Sequence, residues 1–336
     1  MKITMAHGSG GESTSKLIKD VFAKYFKNEI LDRLEDSAVV DGSERIAVTT
    51  DSFVVTPIIF PGGDIGRLSV CGTVNDLLMS GATPKYLTCG CILEEGLDID
   101  ILEKVICSMA ETAKEAGVKI ITGDTKVIEN KGGEPGLIIN TSGVGFIPAG
   151  LEVPGPFNLK DGDSIIISGN LGDHHAAILG TRMGIDTNIK SDAAPLKEMT
   201  SRLIDSGVRV HAMRDVTRGG LGTVLNEFSD ASKCNIELYE DIIPVSRSVR
   251  DFCGMLGLDP MYMGNEGKMV LCVDGQDSEK AVEIIRSSKY GQDACVIGSV
   301  YKNNETADNH SVVLNTKIGG KRIIGLLYGE GLPRIC

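Results

Sequence analysis

Four acids stand where a structural role is hard to supply: Asp36 in LEDSAVV, Asp51 in VTTDSFVV, Asp76 in GTVNDLLMSGA and Asp124 in TGDTKV. Each lies at a strand end or inside an apolar run, and no nearby Lys or Arg serves all four. A buried carboxylate without a partner is costly. Taken singly, each reads as a helix cap or turn acid. Taken together they favour a hard divalent cation, held by oxygen ligands and bridged to phosphate. Asp76 is the clearest case, a charge inside an otherwise apolar helix. The stretch HGSGGES, His7 to Ser13, adds a glycine-rich turn that opens a helix. The backbone N–H groups of Gly8, Ser9, Gly10 and Gly11 can cradle phosphate there. The loop is neither a P-loop nor a dinucleotide fingerprint. Loop and acids together point to a Mg2+-bound nucleoside triphosphate.

The second half of the chain carries further groups. RDVTRGGL, Arg214 to Leu221, couples an acid and a threonine to two glycines at a helix start. It reads as another phosphate- or metal-facing turn, or as helix capping by Thr217. MGNEGK places Glu266 in a turn before a strand, a candidate general base. GDHH, Gly172 to His175, offers two histidines at a helix start, with capping by Asp173 as the competing explanation. His211 and His310 belong to no constellation and read as structural or surface residues. The nine cysteines include no C-x-x-C pair. Cys71, Cys89, Cys91 and Cys272 sit in apolar runs and read as small buried hydrophobes in a reducing compartment. The CGC pair lacks matching ligands elsewhere for zinc. Cys336 differs in kind: it ends a polar tail, YGEGLPRIC.

These groups must be positioned by alternating helices and strands. The length of 336 residues favours two domains, and 42% apolar with 24% charged residues is ordinary for a globular chain. Residues 12–26 place Leu17, Ile18, Val21, Phe22 and Tyr25 on one helical face. Strands are expected at 45–51, 86–93, 118–125 and 136–147, with helices at 64–82 and 99–116. PAGLEVPGPFNLKDGD, rich in Pro and Gly, reads as a linker. Beyond it, strands are expected at 164–169, 268–273 and 294–300, and helices after GDHHA and near 196–206, 221–229 and 277–288. The fold class is α/β (α+β): an N-terminal domain over 1–150, a C-terminal domain over 151–316, and a flexible tail over 317–336. A net charge of −12 without a basic block argues against nucleic acid or anionic membrane as partners. No run approaches the ~20 apolar residues of a membrane helix, and the N-terminus lacks a signal core, so a cytoplasmic protein is expected.

The motifs HGSGG, EDSAVV, TTDSFVVTP, FPGGDIGRLSVCGTVNDLLMSGA, TGDTKV, HAMRDVTRGGL, NEGK and LPRIC, in this order, resemble the HypE hydrogenase maturation proteins. The resemblance runs from the first loop to the last residue. The terminal PRIC separates HypE from the wider PurM-like group of aminoimidazole ribonucleotide synthetase, selenophosphate synthetase and thiamine-monophosphate kinase. A local departure is GDHH where GDHG is expected; His175 there speaks against close backbone approach by a ligand.

The resemblance implies a homodimer whose N-terminal domains pair into a shared β-barrel, with MgATP in a cleft near the domain and subunit interfaces. It implies that HypF places a carbamoyl group on the terminal cysteine, that ATP drives its dehydration to a thiocyanate, and that the cyano group passes to iron on HypC–HypD. That iron becomes the centre of a [NiFe] hydrogenase. Carried over, the ATP and Mg2+ residues are Gly8, Ser9, Gly10, Gly11, Asp36, Asp51, Asp76 and Asp124. Cys336 carries the substrate. The dehydration would need a base near that sulfur, for which Glu266 is the first candidate and Lys126 (if neutral) or His174 the second. Two other readings stand beside this one. A kinase or cyclo-ligase of the same superfamily would not need Cys336, and a nucleotide-binding scaffold would bind ATP without turnover. A selenophosphate synthetase is disfavoured, because the first cysteine is Cys71, far from the N-terminal glycine-rich loop.

Overall fold

The computed structural model describes residues 1–33, 37–302, 310–327 and 336. Asp36 and the tail residues 328–335 lie outside the described residues.

The N-terminal half begins with α1 (Glu12–Leu17), which runs through a π turn, Ile18–Phe22, into α2 (Ala23–Phe26). There follow β1 (Ile46–Phe53), β2 (Ile59–Phe60), β3 (Gly63–Asp64), α3 (Ile65–Met79), β4 (Thr83–Glu94), α4 (Ile99–Ala116), β5 (Lys119–Ile128) and β6 (Leu137–Phe146). Four strands form a mixed sheet in the order β1-β6-β4-β5, with only β4 and β5 parallel. The helix α3 is apolar on nearly every side and is buried accordingly. Its N-cap, Asp64, accepts bonds from the amides of Gly66 (2.7 Å) and Arg67 (2.9 Å). A β-carbon at Gly66 would overlap the Val105 carbonyl, so glycine there lets α3 and α4 approach closely. Gly117 closes α4 in the left-handed conformation at φ +65°. Cys89 and Cys91 point to the same buried side of β4, their sulfurs 3.6 Å apart.

The C-terminal half comprises β7 (Ser164–Ile167), α5 (Asp173–Arg182), α6 (Lys197–Asp205), β8 (Val210–Asp215), α7 (Gly220–Ser232), β9 (Asn235–Tyr239), α8 (Arg247–Leu256), β10 (Met269–Val273), α9 (Ser278–Arg286), β11 (Cys295–Tyr301), β12 (Val312–Asn315) and β13 (Lys321–Ile324). Seven strands form one sheet, in the order β13-β12-β9-β11-β7-β10-β8. Both of its faces are covered, and the period of two shows how. On β10, Met269, Leu271 and Val273 enter a core shared with the N-terminal half, while Val270 and Cys272 enter a second core beneath α7. The shared core makes the two halves one packed body along α3, β10 and α6. Residues 317–327, expected in a mobile tail, include β13, which pairs antiparallel with β12 and buries Ile324 in the second core. Among the described residues no helix is long and apolar enough to cross a membrane. The mixed α/β architecture in two halves is the fold class the sequence led us to expect.

Candidate active site at the domain junction

Asp51 lies on β1 and Asp76 on α3, which packs against that strand. The Thr49 hydroxyl donates to Asp76 Oδ2 at 2.8 Å, and the Ser52 amide donates to Asp51 Oδ1 at 2.8 Å. Burial raises both carboxyls above their ordinary range, and Asp51 raises Asp76 further. The C-terminal half contributes the rest. At the end of β8, burial pushes Asp215 up to about 7, helped by Asp76 and Asp51. Glu266, buried in the NEGK turn, is held well above the usual carboxylate range by burial and then by Asp215, Asp192, Asp51 and Asp76. Arg214 and Arg218 oppose this trend at Asp76. Two acids from each half therefore stand in one another's fields. Such like-charge crowding is tolerated where protons, cations or cationic ligands are handled.

The structure separates Asp124 from Asp51 and Asp76. Asp51 aligns with Thr141, Cys89 and Gly123 across the sheet, while Ser52 aligns with Asn140, Gly90 and Asp124. Asp124 thus lies three strands away, about 14 Å at ~4.8 Å per strand, and on the other face of the sheet. Its carboxylate pairs with Lys126 Nζ at 2.7 Å, which holds it below its ordinary value. Asp36 lies outside the described residues. Among the described residues no three His, Cys, Asp or Glu side chains converge as a complete metal-ligand set. The donors do fit Mg2+ bound through two carboxylates, Asp51 and Asp76, with phosphate oxygens and water completing its shell.

The glycine-rich loop borders a cavity of about 690 Å3 between the α1–α2 segment and β5, lined by Gly8, Gly10, Ile18, Phe22, Asp124 and Lys126. Gly8 packs so closely on β5 that a β-carbon would sit 2.8 Å from the Val127 amide nitrogen. Gly10, at φ +82°, and Gly11 face open space. The Ser9 hydroxyl is turned to the Ala6 carbonyl at 3.0 Å.

The remaining candidates fall in different settings. Lys126 is exposed and paired with Asp124, so its ammonium is held at the cavity mouth. His174 is fully buried, with Nδ1 2.7 Å from the Ser191 hydroxyl and its ring edge-on to Phe60. In the GDHH turn, the Gly172 amide donates to Asn265 Oδ1 at 2.7 Å and the His175 amide to the Gly264 carbonyl at 3.2 Å. Burial lowers His175 to about 4, so it is neutral. The backbone of this turn is thus engaged by the protein itself. Cys336 is half-buried and packs against the core shared by the two halves. Sequence reasoning gave no site role to Asp192, which has no motif around it. RDVTRGGL contains one acid, Asp215, and the structure buries it beside Asp76 and Asp51.

Comparison with known proteins places these features in a family. Residues 34–147 match the N-terminal domain of AIR synthase related proteins and residues 160–309 match the C-terminal domain. The chain is 44% identical to carbamoyl dehydratase HypE of Escherichia coli strain K12, over 99% of both sequences. A crystal structure of hydrogenase maturation protein HypE in complex with ATP superposes with a TM-score of 0.94, at 44% identity and 99% of both chains. A crystal structure of a HypE–HypF complex matches with a TM-score of 0.79, at 45% identity, over 93% of this chain and 99% of that one. With both halves matched in order, and identity at this level along the full length, the chain belongs to the HypE family of hydrogenase maturation proteins.

Proposed function

We propose that the chain is an ATP-dependent carbamoyl dehydratase that acts on an S-carbamoyl group carried by its own Cys336. The observation that carries this reading is the meeting of Asp51 and Asp76 with Asp215 and Glu266 where α3 packs on β8; Cys336 packs elsewhere against the large core that the two halves share. ATP would sit between the protomers of a dimer, its phosphates over the Gly8–Gly11 loop of one and beside Asp51 and Asp76 of the other. Within one chain that loop rests on β5, three strands from Asp51. Mg2+, when bound, would neutralise charge on the transferring phosphoryl group, with Asp51 and Asp76 to hold it.

The carbamoyl oxygen attacks the γ-phosphorus, ADP leaves, and one N–H proton is released, giving an O-phosphorylated iminothiocarbonate, S–C(=NH)–O–PO3, on Cys336. Loss of the second N–H proton, with cleavage of the C–O bond, expels phosphate and leaves S–C≡N. The second proton needs a base with high proton affinity. Glu266 is suited because its surroundings raise that affinity, and positive charge arriving beside Asp51 and Asp76 would let it ionise beforehand. Lys126 and His174 are weaker choices, the first paired with Asp124 and the second buried against Phe60.

HypF is the expected carbamoyl donor, since a relative forms a complex with it. HypC–HypD would accept the cyano group for the iron of a [NiFe] hydrogenase, in the cytoplasm. The chain would act as a homodimer. The sheet face opposite α3 exposes Ile46 (51%) and Val48 (66%), the apolar surface that a shared barrel would cover. Pairing would also bring a second protomer to the face on which Asp124 and Lys126 lie. Two variants test this reading. Cys336→Ala should abolish carbamoylation and with it ATP-dependent cyanide formation, and Asp76→Asn should abolish ATP turnover. Full cyanide formation by the first, or unchanged turnover by the second, would sink it.

A further inference from the structure

The NEGK turn that carries Glu266 is held from outside its own half of the molecule. Asn75, beside Asp76 on α3, is 2% exposed. Its Nδ2 donates to the Ala194 carbonyl at 3.0 Å and, more weakly, to the Glu266 carbonyl at 3.5 Å, while its Oδ1 accepts the Leu196 amide at 2.9 Å. The segment 191–196 is thereby tied to the N-terminal half. Two more bonds tie it there: Arg67 Nε donates to the Ala193 carbonyl at 2.7 Å, and the Ser191 amide donates to the Pro61 carbonyl at 2.8 Å.

The same segment grips the turn. Asp192 Oδ1 accepts the Glu266 amide at 3.0 Å, its Oδ2 lies 3.2 Å from Lys268 Nζ, and the Ala194 amide donates to the Glu266 carbonyl at 3.3 Å. Gly267 is packed so closely on this segment that any β-carbon would overlap the Asp192 carbonyl. Both backbone polar groups of Glu266 are therefore fixed by residues 192 and 194, and Asn75 fixes residues 194 and 196. The two site acids that come from different halves, Asp76 and Glu266, are joined through one buried amide. Buried polar bonds of this kind hold geometry closely; Asp192 Oδ2, buried without a hydrogen bond, is held by the charge of Lys268.

We propose that Asn75 and Asp192 are positioning residues for Glu266, clamping the NEGK turn to the α3 helix so that the base from one half stands at the acids of the other. The inference rests on the reading of Glu266 as the base. Neither residue touches the reacting atoms; both act through Glu266.

A double-mutant cycle on the full-length carbamoylated protein tests the clamp, reading single-turnover water loss from the Cys336 adduct, KM for ATP and thermal midpoint. Asn75→Ala is expected to lower the rate of water loss by about tenfold to 10²-fold, with KM for ATP little changed. In a Glu266→Gln background the same substitution is expected to lower it no further. Asp192→Asn, which keeps an acceptor for the Glu266 amide, is expected to retain more activity than Asp192→Ala. If Asn75→Ala lowers the rate equally with and without Glu266, the residue is merely structural and the proposal is overturned. If Glu266→Gln alone leaves water loss at full rate, the reading of Glu266 fails, and the clamp with it. Should Asn75→Ala fail to fold, Asp192→Asn and Asp192→Ala in the two backgrounds give the same cycle.

Discussion

At Asp215 the carboxyl ionises at about 7 in the folded chain, against 3.8 when unperturbed, because burial and the fields of Asp76 and Asp51 oppose its charge. Between those values the folded state binds more protons than the unfolded one, so this group makes stability fall as pH rises from 3.8 to about 7, with no further change above. Asp215→Asn removes the penalty. In protein free of metal and nucleotide, the variant should be no better than the parent near pH 4 and more stable at pH 8, by on the order of a few kcal/mol. Urea unfolding at several pH values checks this, and a difference independent of pH would contradict it. The residue that is costly without ligands is thus one that a positively charged load at the site would favour. Nothing in RDVTRGGL alone tells that its aspartate is buried among other acids, since those neighbours are supplied by α3 and β1.

The glycine-rich loop shows what a short element contributes. Gly8 seats the loop on β5, where a β-carbon would press on the Val127 backbone; Gly10 needs its positive φ but faces open space. Gly8→Ala should therefore shift the whole loop and raise KM for ATP by about tenfold, while Gly11→Ala, with room around it and no positive φ, should raise it far less. Steady-state ATPase measurements on the carbamoylated protein would check the contrast, and equal effects would count against the loop as a phosphate cradle. Most such elements were legible from period and punctuation. The buried helix α3, the amphipathic α4 with its closing Gly117, and the strands of the first sheet stand where pattern and turn residues put them. The misses have physical reasons. In NIELY, β9 alternates over only five residues, and β12 and β13 are four residues each, too short for a period to register. The helix α8 hides its stripe of Val249, Phe252 and Cys253 in a charged sequence, RSVRDFCGML. The division of Asp51 from Asp124 was hidden for another cause. Which face a strand residue takes depends on register, and a bulge between Leu87 and Thr88 resets the pairing of β4 with β5.

On the scale of the whole molecule, the two halves share one core, and the site is built where they meet. Segment 191–196 belongs to the C-terminal half in sequence and bonds to both, so the relative placement of Asp76 and Glu266 does not rest on side-chain packing alone. The face of the first sheet away from α3 leaves Ile46 and Val48 exposed in the single chain, a cost that a second copy would remove. Val48→Glu should convert a dimer to a monomer in light scattering and lower the rate of water loss; a variant that stays dimeric would show that the partner sits elsewhere. Cys336, packed half-buried against the shared core, joins this arrangement to its proposed substrate. The most direct measurement is the mass of the C-terminal peptide after incubation with a carbamoyl donor system, with and without ATP. The expected result is a carbamoyl adduct on Cys336 that loses one water only when ATP is present. An adduct that persists unchanged with ATP, or a water loss that proceeds without it, would contradict it.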